Sequence, residues 1–267
     1  MSSFPPSRPA APETDTPDLL APVARRSFLR YSSAGLALGG LYLAGCSKDD
    51  TTGPSGGNGA LIDVGTGDIG ILNYAYALEQ LEAAFYTQVV AGAYYAGASA
   101  AEKAIFSDLR DHEVIHRDFF KAAITTGRIT DALVPDFSNI DFAQRTTTSG
   151  KLGVLNAAMA FEDLGVAAYN GAGRFITSAA YLTLAGKIVS VEARHAAVIR
   201  ELMATNTFVG NDVVNLDSSS TNNGAPGASG AVTGTGLERS KRPQVVLATA
   251  NNFLMAGSKL SATNFAN

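Results

Sequence analysis

Six residues of this chain have the types and the spacing to hold metal ions: Glu79, Glu113, His116, Glu162, Glu192 and His195. They fall into two copies of one pattern, a lone Glu seven residues ahead of a Tyr, then a Glu-x-x-His further on. The first copy is Glu79 and Tyr86 with Glu113-Val114-Ile115-His116; the second is Glu162 and Tyr169 with Glu192-Ala193-Arg194-His195. On a helix, positions i, i+3 and i, i+7 share a face, so four such helices would direct four carboxylates and two imidazoles at one interior point. Burying a carboxylate costs several kcal/mol, and four in register require counter-charge. Two divalent ions supply +4 against the −4 of the glutamates, and oxygen-plus-imidazole ligation suits iron or manganese.

The elements that must carry these residues follow from the periodicity. Leu72, Ala75, Tyr76, Glu79, Glu82, Ala83 and Tyr86 form one stripe of a first helix, and Ile105, Leu109, His112, Glu113, His116, Phe120 and Ala123 one of a second. A third, from about residue 151 to 170, aligns Leu155, Ala158, Glu162, Val166 and Tyr169. A fourth, from about 178 to 203, aligns Ile188, Glu192, His195, Ile199 and Leu202 and leaves Lys187, Arg194 and Glu201 to solvent. Brief Gly/Ala-rich turns join the first helix to the second and the third to the fourth, while residues 127–149 make a long connection between. Two hairpins and one long crossover give an all-α, antiparallel four-helix bundle. A Ser/Asn/Gly-rich stretch after Met203 leads to one more short helix opening at Pro243, and no sheet is expected.

The chain has 267 residues, 46% hydrophobic and 16% charged, which is a globular make-up with a net charge of −4. Nothing in that balance invites nucleic acid. A Pro-rich start leads to Arg25-Arg26-Ser27-Phe28-Leu29-Arg30 and a mildly apolar run, residues 31–45, which is short of the ~20 residues a membrane-spanning helix needs. The arginine segment resembles a twin-arginine export signal, and Leu43-Ala44-Gly45-Cys46 resembles the lipobox of bacterial lipoproteins. Cys46 is the only cysteine, so no intramolecular disulfide forms and lipidation is its expected fate. The organisation expected is an export signal with lipobox over 1–46, a flexible linker over 47–65, the bundle over 66–204 and a loop-rich extension with a short helix over 205–267.

Residues 69–203, including the spacing of Leu72-Asn73, Glu79 and Tyr86, resemble the ferritin-like superfamily, and its bacterioferritin-type proteins in particular. The export signals and the tail 243–253 are similar to those of secreted bacterial ferritin-like-domain proteins. The resemblance implies two iron or manganese ions, with Glu113 and Glu192 bridging them, Glu79 and Glu162 as terminal ligands, and His116 and His195 each capping one ion. The first functional expectation is redox chemistry with dioxygen or a peroxide, and the signal segments place the protein outside the cytoplasm, lipid-anchored in the cell envelope and facing the periplasm or exterior. The partners are then a membrane, dioxygen or peroxide, and a second copy of the chain as a homodimer.

Other functions remain open at this stage. One is metal sequestration or storage; another is a bundle with little catalysis, associated with stress. His112-Glu113-Val114-Ile115-His116 also matches H-E-x-x-H, the helix motif of zinc metallopeptidases. That would leave Glu79, Glu162, Glu192 and His195 without a role, and Val191 stands where a second copy would need His. Around the six ligands, Glu82 adds or orients a ligand or is simply hydrogen-bonded. Tyr86 and Tyr169 donate hydrogen bonds, relay electrons or fill core, and His112 supports a ligand or packs beside one.

Overall fold

The computed structural model describes residues 60–215 and 236–266. Arg25, Arg26, Arg30, Cys46 and most of the expected linker lie outside the described residues. The described chain is mostly helical, at 63%, with six α-helices. In chain order it runs β1 (Ile62–Asp63), α1 (Gly67–Ala91), α2 (Ala93–Gly97), α3 (Ala100–Ala123), β2 (Ile140–Asp141), β3 (Leu152–Gly153), α4 (Val154–Ala172), α5 (Ala179–Met203), α6 (Pro243–Ala250) and β4 (Leu260–Ser261). Among the described residues, no helix is long and apolar enough to cross a membrane.

Local chemistry sets the helix starts. Ser99 and Glu102 form a reciprocal capping box at the start of α3, each side chain accepting from the other's backbone N–H. Ser178 accepts from the Tyr181 N–H at the start of α5. Asp68, in the first turn of α1, accepts from the N–H groups of Thr177 and Ser178 and so ties that end of α1 to the α4–α5 connection. Pro243 opens α6, where its missing N–H costs nothing.

α1 packs on α3 and α4 packs on α5, the two antiparallel pairs expected of the bundle, with the long crossover between them. The pairs are built alike. In α1, 17 of 25 residues are buried and in α4 14 of 19, against five of 24 in α3 and five of 25 in α5. α1 and α4 are therefore central, while α3 and α5 are outer helices with a solvent face. The crossover lies against α1: Asn73 Nδ2 donates to the carbonyls of Val64 and Gly127, and Gln80 Nε2 donates to that of Thr130.

Two departures from the sequence expectation stand out. Short sheets are present: β1 pairs with β4 and β2 with β3, both in parallel, two residues each. The first pairing clasps the segment before α1 to the C-terminal extension; the second clasps the two ends of the crossover and delays the start of α4 to Val154. The extension also forms part of the core, burying Val246, Leu247, Ala250, Leu254, Leu260 and Phe265. It crosses α4 so closely at Gly171 that a Cβ there would stand 1.8 Å from the Lys241 carbonyl oxygen. Only glycine fits at that crossing.

Candidate metal centre

The four bundle helices bring all six expected ligand residues together, and all six are buried. α1 supplies Glu79, α3 Glu113 and His116, α4 Glu162, and α5 Glu192 and His195. Their ligand atoms form two groups: Glu79, Glu113, His116 and Glu192 in one, Glu113, Glu162, Glu192 and His195 in the other, with the atoms of each group within 4.8 Å of one another. Glu113 and Glu192 belong to both groups, Glu79 and Glu162 to one each.

The distances repeat this two-fold pattern. His116 Nδ1 lies 2.9 Å from Glu192 Oε1, 3.4 Å from Glu113 Oε2 and 3.5 Å from Glu79 Oε2. His195 Nδ1 lies 2.9 Å from Glu113 Oε1, 3.5 Å from Glu162 Oε2 and 3.6 Å from Glu192 Oε2. Each imidazole is thus closest to the Glu of the other helix pair. Each shared Glu presents one oxygen to either imidazole.

These atoms are close, yet they do not satisfy one another. Both oxygens of Glu113 and of Glu192, Oε2 of Glu79 and of Glu162, and Nδ1 of both histidines are buried without a hydrogen bond of acceptable geometry. Buried polar atoms are nearly always partnered, so eight unpartnered ones converging on one place make a group that could hold cations. The two oxygens of the set that are satisfied fit the same plan: Tyr169 Oη donates to Glu79 Oε1 and Tyr86 Oη to Glu162 Oε1. Each lone Glu is therefore held at one oxygen by a tyrosine of the opposite pair and keeps the other for a ligand role.

Without cations, protons must balance the charge. Burial raises the pKa of Glu79 well above the usual carboxyl range, and burial raises that of Glu162 to about 8. For Glu113, burial acts in the same direction, but the imidazoles of His116 and His195 close beside it outweigh burial and hold the pKa low. Burial opposes the charged form of His116 and His195, and the surrounding carboxylates outweigh it, raising both. A cation bound among groups shifted in this way would displace the protons they hold.

Of the outer positions, Tyr86 and Tyr169 touch ligands as just described. Glu82 is buried but belongs to neither ligand group. Its carboxylate lies against Gly165 of α4, where a Cβ would stand 3.1 Å from Oε1, and burial raises its pKa well above the usual range. His112, placed on the interior stripe by its spacing, is exposed instead. Its Nδ1 lies 2.8 Å from Nε2 of His195, on the side of that ring away from the carboxylates. It shares neither group with His116, so the two histidines of H-E-x-x-H do not face one ion.

The sequence pattern missed two features. Gly165 occupies a helix interior, a costly place for glycine that is itself a signal of close approach. Arg200 is buried against Asp163 of α4 and Asp212 of the following loop, each with an N–O distance of 2.6 Å, and so locks α4 to α5 one residue from Glu162. A search of curated proteins finds no match to this chain. The ferritin-like domain family matches residues 67–205, more than half of the chain and the whole bundle that carries the six ligands. The chain belongs to the ferritin-like family.

Proposed function

We propose that this protein holds a dinuclear iron or manganese centre and uses it in redox chemistry with dioxygen or a peroxide. The observation that carries the proposal is the set of eight orphaned ligand atoms, divided so that two glutamates offer both oxygens and two offer one. Four carboxylates and two neutral imidazoles balance two divalent ions, and among the described residues no cysteine is present to favour softer metals. Glu113 and Glu192 would bridge, Glu79 and Glu162 would each complete one ion, and His116 and His195 would cap through Nδ1. Two redox-active ions held there would supply electrons to an oxygen substrate; the chain's own part is to fix the ligands and keep bulk water out. Tyr86 and Tyr169 hold the terminal carboxylates. An apolar cavity of about 30 Å³ reaches Tyr169 between Leu72, Leu78 and Phe120 and suits a small apolar molecule such as dioxygen.

The deciding experiment is metal analysis of the purified protein, followed by stopped-flow mixing of the Fe(II) form with dioxygen or hydrogen peroxide. Two ions per chain with fast oxidation, and with multiple turnover of peroxide or, once a reductant is added, of dioxygen, support the oxidoreductase. Slow accumulation of many irons per chain replaces it with storage, and two ions without turnover with a non-catalytic bundle. A single zinc would revive the peptidase, against which the orientation of His112 already counts.

The same proposal places the protein in the cell envelope, exported through the Arg25-Arg26 signal and anchored by a lipid on Cys46. Cys46→Ser should release it from membranes, and unchanged membrane association would reject the anchor.

A further inference from the structure

The two halves of the centre present the same ligands, but only one imidazole is supported from behind. His195 Nε2 meets His112 Nδ1 at 2.8 Å, with the two rings nearly parallel at 10° and their centroids 5.1 Å apart. The position matching His112 in the other half is Val191, which cannot accept a hydrogen bond. Nε2 of His116 has no hydrogen-bond partner among the described residues.

That contrast matters because both histidines face the carboxylates through Nδ1. To bind a cation there, Nδ1 must carry a lone pair and the ring proton must sit on Nε2. For His195 that proton has an acceptor, Nδ1 of His112, which fixes the tautomer, orients the ring and increases the basicity of Nδ1. For His116 it has none, and the same tautomer has to be selected by the metal alone.

We propose that His112 is a positioning residue for His195 and makes the His195 position the tighter of the two, so that the centre fills in order with that position first. This rests on the paired-metal function proposed above. Loss of such an outer partner typically weakens metal binding by about 10–100-fold, so the gap between the two affinities should be of that order. The exposure of His112 means that it can be changed without opening the core.

The test is a Mn(II) titration of the full chain, read by electron paramagnetic resonance and by competition with a chelator of known affinity. The unaltered chain should bind two ions in separate steps; Glu162→Gln should remove the tighter step and Glu79→Gln the weaker. His112→Phe keeps an aromatic ring beside His195 but removes the acceptor, and should weaken the tighter step by about 10–100-fold until the two merge. His112→Gln restores an acceptor and should recover the separation. Val191→His should tighten the weaker step. Two unchanged affinities in His112→Phe, or His112→Gln behaving like His112→Phe, would overturn the role of His112 while leaving the paired centre intact. A chain that binds no pair of ions at all would instead remove the function on which this inference rests.

Discussion

The pair α1/α3 and the pair α4/α5 carry one ligand set in duplicate and differ in what surrounds it. Glu79 matches Glu162, Glu113 matches Glu192, His116 matches His195, and the tyrosines cross over to each other's glutamate. Three residues past the lone Glu, however, stands Glu82 in one half and Gly165 in the other. One residue before the Glu-x-x-His stands His112 in one half and Val191 in the other. In both cases the larger, polar member reaches across to the opposite pair: Glu82 of α1 lies against α4, and His112 of α3 against α5. The duplication supplies the charge and the ligand groups; the departures from it would give two bound ions separate identities.

The largest effect should come from breaking what the halves share. Glu113→Ala or Glu192→Ala removes a carboxylate common to both ligand groups and should weaken both ions by more than about 100-fold, beyond the effect of losing an outer partner. Glu79→Ala or Glu162→Ala touches one group only and should cost one ion, a contrast that metal content per chain reads directly. Full loading that survives Glu192→Ala would sink the paired arrangement.

Removing the ions tests both halves together through pH. A group whose folded pKa is raised stabilises the fold fully below its unfolded pKa and loses that contribution as pH climbs through the folded value. Glu79, Glu82 and Glu162 are all raised from the usual 4.5, Glu162 to about 8, and His116 from 6.5 to about 12. The lowered Glu113 acts in the opposite sense, but only as pH falls below 4.5. The apo protein should therefore melt at progressively lower temperature from about pH 5 upward, while ions in place of protons should flatten the curve. Thermal scans of apo and reconstituted protein check this, and parallel curves would contradict it.

Smaller effects sharpen the symmetry. Tyr86→Phe and Tyr169→Phe each leave a buried carboxylate oxygen without its donor, and each should cost about 1–3 kcal/mol of apo stability in chemical denaturation. The crosswise arrangement predicts that the two losses are similar; a large loss from one alone would show that the halves differ here too. The smallest effect is expected from Gly165→Ala. Its Cβ would crowd the flexible end of Glu82 at 3.1 Å, costing about 1 kcal/mol at most after the carboxylate moves, partly offset by the better helix propensity of alanine. A loss of several kcal/mol would mean that Glu82 has nowhere else to go.

Much of this was legible in the residues themselves. The stripe over Leu72, Tyr76, Glu79 and Tyr86 predicted a helix with its carboxylate inward, and all four are buried on α1. His112 shows where that logic stops. It sits one position before Glu113, and a shift of one residue along a helix turns a side chain by about 100°, enough to take it to the surface. Periodicity could not decide between lying at the edge of the stripe and lying within it.

The sequence by itself determined which residues share a face, because helical repetition is local and the two motif copies repeat it at the same offsets. That was enough to give the bundle, the order of its helices and the four carboxylates and two imidazoles at its centre. Only the tertiary structure decided how faces from different helices meet. Tyr86 pairs with Glu162 rather than with its own Glu79, Gly165 makes room for Glu82, His112 backs His195, and the C-terminal extension enters the core beside Gly171. Each of these joins residues more than 50 positions apart. Their register is set by helix packing and by the close passage of backbones, which no local pattern encodes.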